Sequence, residues 1–161
     1  MATKIWPIEG VALESDGNAV AGSLAYRILR MYDDNYQPVL VYPTLADGAQ
    51  VVSSTGTWSV GAYSVVMPSG TVTSDYLINM VTVESMTKDG DFEFILYYGE
   101  SDVEVGRIRF SYVGGFFGNS VFRMPSVLVP ANSKLRARLA CSTGLTGGAT
   151  GTFSVAYRIV T

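Results

Sequence analysis

Fourteen carboxylates, eleven Lys or Arg and one cysteine are the chemically able side chains of this 161-residue chain, and it contains no histidine. Without an imidazole there is no Ser–His or Cys–His nucleophile and no ordinary zinc site. Catalysis would have to use a carboxylate pair of the glycosidase kind, and Asp89, Asp91, Glu93, Glu100, Asp102 and Glu104 have the right type. These residues alternate with apolar ones or stand in turns, as solvated carboxylates do, so the chain reads as a non-enzyme. Oxygen ligands for calcium cluster at Asp33, Asp34 and Asn35 and again at Asp89 and Asp91. Neither group has the spacing of a recognised loop, and polar turn residues are the simpler reading. No GxxxxGK[ST] and no helix-opening GxGxxG supports a nucleotide. The lone Cys141 excludes an intrachain disulfide and sits on the apolar side of a strand, where a thiol is buried and inert. No cofactor and no metal is expected.

The cations are more pointed. In VPANSKLRARLACSTG, residues 129–144, Leu135, Ala137, Leu139 and Cys141 alternate with Lys134, Arg136 and Arg138. A strand with that pattern is oily on one face and cationic on the other. No Asp or Glu follows Glu104, whereas Arg107, Arg109, Arg123, Lys134, Arg136, Arg138 and Arg158 all do. The first 104 residues hold four basic against fourteen acidic groups. Such asymmetry suits an acidic partner, head-to-tail subunit pairing, or acidic and basic strands lying side by side in one sheet. Nucleic acid is disfavoured by a pI near 4.8 and by the lack of a basic tail. Arg107, Arg109, Arg136 and Arg138 are therefore candidate interface residues, because the flat guanidinium pairs and stacks well between proteins. Arg136 and Arg138 are expected to meet acidic or carbonyl groups of an adjacent strand or subunit.

The elements that must carry these residues are strands. Runs of five to ten residues rich in Val, Ile, Tyr and Phe, with period-two patterning, lie between Gly, Ser and Thr punctuation. YLINMVTVESM, the turn TKDGD and FEFILYYG read as a hairpin on Asp89-Gly90. VEVGRIRFSYV follows as a third strand and GGFFGNS as a loop. VFRMPSVLVP, interrupted by Pro125 and Pro130, suits edges or bends. KLRARLAC and TFSVAYRIV close the chain, and TWSVGAYSVVMP reads as another strand. About eight strands at this spacing imply an all-β, antiparallel β-sandwich of two packed sheets over residues 56–161. Residues 1–55 are less regular: LADGAQVVSSTGT reads as turn and linker, and AGSLAYRILRMYDD as a strand on weak alternation. The segment as a whole reads as a partly extended attachment arm, with Trp6 and Ile8 around Pro7 as its docking residues.

Charged residues are 16% of the chain and mean hydropathy is +0.25, so apolar surface is left over for contacts between subunits. Phe116 and Phe117, adjacent in a glycine-rich loop, are the first candidates for burial against a neighbour, with a ligand platform second. Trp6, Trp58 and Tyr63 could join such a sugar platform, so a glycan is a possible but not favoured partner. No window nears the eighteen apolar residues of a membrane span, and MATKIWPIEG lacks the apolar core of a secretory signal. A soluble protein made in a cytoplasm, with no membrane partner, is the expectation.

The succession SVVMPSGTVTSDYLINMVTVES, FILYYGESDVEVGRIRF, VLVPANSKLRARLACSTG and TFSVAYRIV resembles small jelly-roll proteins encoded among the virion genes of tailed bacteriophages. In these, a phrase like Pro130 to Arg138 leads into the penultimate strand, a Gly/Ser-rich loop and a last strand. The likeness covers roughly residues 60–161 and implies a structural component of a virion, commonly trimeric. Such a component decorates the capsid by binding the major capsid protein or, alternatively, belongs to the tail as a fibre, tip or receptor-binding piece. It transfers no functional residues, because such proteins act through surfaces.

Overall fold

The computed structural model describes residues 39–44, 48–125 and 127–160. Among them lie eleven strands and no helix: β1 (Leu40–Tyr42), β2 (Ala49–Thr57), β3 (Ser64–Met67), β4 (Tyr76–Met86), β5 (Gly90–Tyr98), β6 (Val103–Val113), β7 (Phe116–Phe117), β8 (Val121–Arg123), β9 (Leu128–Val129), β10 (Leu135–Cys141) and β11 (Thr150–Ile159). One layer runs β2-β11-β4 with β8 and β9 along the outer side of β4 and β1 beside β11, and the other runs β3-β10-β5-β6-β7. The chain crosses between the layers at β3–β4, β4–β5, β7–β8, β9–β10 and β10–β11, the winding of a jelly roll, so it is an all-β sandwich of that type.

Period-two patterning explains the register. Along β10 and β5, Leu135, Ala137, Leu139 and Cys141 pair with Tyr98, Leu96, Phe94 and Phe92 on the inner face. Phe94 stacks on Phe153 of the opposite layer at 4.3 Å between ring centroids, and Phe110 meets Phe153 edge-on at 6.1 Å. These aromatic contacts across the layers are the centre of the core, and truncating either ring to Ala costs on the order of 3–5 kcal/mol. Tyr76 is fully buried and donates its hydroxyl to the Ser133 carbonyl at 3.2 Å. Burial first, and then the nearby Tyr157, push its pKa up to about 12.

Four local expectations change. β4 and β5 are not a hairpin: β4 pairs with β11, β8 and β9, and β5 with β10 and β6. The Asp89-Gly90 turn instead carries the chain from one layer to the other, and the true hairpin is β5–β6, turned by Gly99 and Asp102 at φ 71° and 54°. The LADGAQVVSSTGT stretch is not a linker where it is described. Ala49–Val52 pair antiparallel with β11, and beyond them β2 crosses to the other layer, where Ser53 and Thr57 run parallel to β10. That short parallel ladder departs from a wholly antiparallel sandwich, and it arises because β2 is the corner joining the layers. The compact unit begins at Val39, so residues assigned to the arm contribute strands to the sandwich. Finally, TWSVGAYSVVMP is not one strand: Thr57 ends β2, Trp58 at φ 49° turns the chain out of the ladder, and Ser64–Met67 resumes as β3. Trp6, Ile8 and the Asp33–Asn35 cluster lie outside the described residues.

Candidate functional surfaces

Because β10 alternates, its cationic side chains stand on the outer face of the β3-β10-β5-β6-β7 layer. Arg136 lies opposite Tyr97, Arg138 opposite Ile95, and Ala140 opposite Glu93. On the next strand Glu93 faces Arg109, Ile95 faces Arg107, and Tyr97 faces Glu104. Glu93, Ile95 and Ala140 point outward and yet are only 8%, 5% and 2% exposed. Residues 58–63 run as a strap along the edge of β10, and their Trp58 and Tyr63 side chains reach onto this face. Gly61 donates its N–H to the Leu139 carbonyl at 2.8 Å and lies so close to β2 that a Cβ would stand 1.9 Å from the Val52 carbonyl oxygen. Only glycine lets the strap lie there.

The arginines hold this strap and the neighbouring turn. Arg138 Nε donates to the Gly61 carbonyl at 2.7 Å, and the guanidinium groups of Arg136 and Arg138 each sit 4.9 Å from the Tyr63 ring centroid. Tyr63 in turn meets Tyr97 edge-on at 5.4 Å. Arg136 Nη2 donates to the Gly99 and Glu100 carbonyls at 3.1 and 3.2 Å and forms an ion pair with Asp102. That last contact is one of charge, since Asp102 Oδ1 is not aligned for a hydrogen bond. Lys134 pairs with Glu100 at 2.9 Å. The cationic face of β10 therefore touches its own chain: the β5–β6 turn and the 58–63 strap.

Arg107 and Arg109 are also paired within the chain. Arg107 forks onto both oxygens of Glu104 at 2.9 and 2.7 Å and reaches Glu93 at 3.2 Å, and Arg109 Nε donates to the other oxygen of Glu93 at 2.6 Å. These pairs hold the Glu104 and Glu100 carboxyls below the usual range, through the hydrogen bonds from Arg107 and Lys134 first. A glycosidase general acid needs the opposite shift. Asp89 accepts the Gly114 N–H on both oxygens at 3.1 Å, and Asp91 accepts the Ser111 hydroxyl at 2.6 Å. Among the described residues, the carboxylates weighed for acid–base or calcium chemistry thus tie strands and turns together. Among the described residues no three His, Cys, Asp or Glu side chains converge as a metal site would require. Cys141 is buried.

The second surface is the β6–β7 turn. Gly114 and Gly115, at φ 60° and 90°, form a two-residue hairpin turn with both φ positive, and the Asp89 carboxylate fastens its first N–H. The turn divides the two phenylalanines that the sequence groups together. Phe117 tucks against Tyr112 at 4.7 Å and Phe110 at 6.3 Å, while Phe116 stands 80% exposed beside its cross-strand neighbour Val113, 63% exposed. No charge occurs from Phe110 to Phe122.

Sequence reasoning named the four arginines but missed Glu93 as the partner shared by Arg107 and Arg109. The signal was present in the alternation of FEFILYY against VEVGRIRF, and it becomes readable once those two runs, rather than β4 and β5, are taken as the hairpin.

No protein-family model matches this chain, and no curated protein does. Among solved structures it is similar to infectious bursal disease virus, Gx strain, with 15% identity over 95% of this chain and 38% of that one, at a TM-score of 0.37. It is also similar to the VP2 subviral particle of infectious bursal disease virus, with 18% identity over 95% of this chain and 37% of that one, at a TM-score of 0.33. The chain spans less than two fifths of either protein, and likeness at this level carries no argument about role.

Proposed function

We propose that this chain is a structural protein of a virus particle, and specifically a capsid decoration protein that assembles with itself as a trimer and binds the major capsid protein. The observation that carries the reading is the β6–β7 turn, which displays Phe116 to solvent on a glycine hairpin fastened by Asp89. An aromatic ring carried outside a well-packed sandwich on a fastened turn suits a partner's pocket, because the backbone that bears it has little freedom left to lose on docking. Support also comes from the jelly-roll winding, from the resemblance carried by Pro130 to Arg138, and from carboxylates and arginines tied up in holding strands. Area sets the scale. A phenylalanine buries roughly 150–250 Å², far below the roughly 1,600 Å² of a standard interface, so Phe116 and Val113 are the anchor of a wider contact.

The test is to count the protein on purified particles by imaging and to compare wild type with Phe116→Ser. Decoration requires a copy number that follows the capsid lattice and at least a tenfold loss of occupancy in the variant. A count limited to the tail supports the tail reading. Full occupancy of Phe116→Ser removes the anchor.

A further inference from the structure

Trp58 is a bulky residue in the left-handed region, at φ 49°, where few non-glycine residues are found and where strain is of the order of 1–3 kcal/mol. The turn places its indole on the outer sheet face, 45% exposed, with the Arg109 guanidinium 5.2 Å from the ring centroid. Arg109 uses only Nε, on Glu93, and its two terminal nitrogens donate to nothing among the described residues. One step along the same face, roughly 7 Å away at the usual strand rise, stands the Asp91–Ser111 pair. The second oxygen of Asp91 accepts no bond among the described residues. An exposed flat ring, an unused donor fork and an unused acceptor thus share one surface.

Charge decides which ligand fits. Arg107 and Arg109 are matched by Glu104 and Glu93, and Asp91 adds a further negative group, so a polyanion gains nothing here. A neutral polyhydroxylated ring fits: its C–H face lies on the indole, and its vicinal hydroxyls accept from the Arg109 fork and donate to Asp91. We propose that Trp58, Arg109 and Asp91 form a binding site for a neutral saccharide. The site shares no residue with the Phe116 turn and does not rest on the particle-assembly reading.

Trp6→Phe leaves Trp58 as the sole indole, so its fluorescence reports this face alone. That protein is screened on a printed glycan array, then titrated with cellotriose, maltotriose and chitotriose together with any array hit. The expected result is a saturable change in Trp58 emission with at least one neutral glycan, and at least tenfold weaker binding in Asp91→Ala and Arg109→Ala. Circular dichroism checks that both variants are folded. If Arg109→Ala fails to fold, Asp91→Ala, an exposed position, decides. Silence across the array and the titrations overturns the site. So does sugar binding that Asp91→Ala leaves intact, or a Trp58 response only to a proline-rich peptide or to heparin.

Discussion

The outer face of β10 and the β6–β7 turn contrast sharply. The first is the most cationic stretch of the chain, yet its guanidinium groups are occupied by the chain's own carbonyls, carboxylates and Tyr63. The second carries no charge and leaves Phe116 in water. A pattern of charge along a strand marks where electrostatic partners must exist but does not say in which chain. Apolar area left exposed on a fastened turn is the better pointer to an outside partner, because nothing among the described residues compensates it.

Substitutions can break this contrast. The largest effect belongs to the double variant Arg136→Ala with Arg138→Ala, which leaves Asp102 without its ion-pair partner and the carbonyls of Gly61 and Gly99 without their donors. Hydrogen bonds to charged groups are worth about 1.5–3 kcal/mol each when removal strands a partner, and about 3 kcal/mol of stability should vanish in urea unfolding. Oligomeric state at low temperature should be unchanged. Loss of assembly with unaltered unfolding would return these residues to an interface. Next comes Gly61→Ala, which drives a methyl into the Val52 carbonyl and should cost about 1–3 kcal/mol by calorimetry while loosening the strap along β10. Phe116→Ser should move stability by no more than about 0.5 kcal/mol, while the proposed decoration role requires it to lower occupancy on particles. A marked fall in Tm would mean that the ring is packed after all.

The smallest effect is on the acid side of the pH dependence. Arg107 holds the folded pKa of Glu104 below the unfolded value of about 4.3, so the stabilisation is present above that pH and is lost as pH falls through the lowered folded value. Both partners are well exposed, which screens the pair, and Glu104→Gln should flatten acid unfolding by only a few tenths of a kcal/mol. Tyr76 works in the opposite direction. Its folded pKa is raised, so its contribution is complete below pH 10 and fades as pH rises toward 12. Tyr76→Phe should remove that alkaline transition, read by fluorescence or circular dichroism.

Alternation made β4, β5, β6, β10 and β11 legible within a residue or two, because each buries one face and the period of two cannot be disguised. It also placed Leu135, Ala137 and Leu139 in the core, where all three are fully buried. It failed at Asp89-Gly90, since a turn that reverses a hairpin and one that arches between layers use the same residues, and only the pairing partners distinguish them. It failed again at β2, whose Gly, Ser and Thr resemble linker until β10 and β11 supply the ladder.

Local chemistry by itself determined the strands, their buried faces, the all-β class and the want of an imidazole, because those follow from side-chain type and spacing along the chain. Only the tertiary structure decided that the arginines clamp their own strap, that Phe116 and Phe117 part company, and that Trp58, Arg109 and Asp91 share a surface. Each of these depends on which distant strands lie about 5 Å apart in the sheet, and that choice belongs to the packing of the whole core.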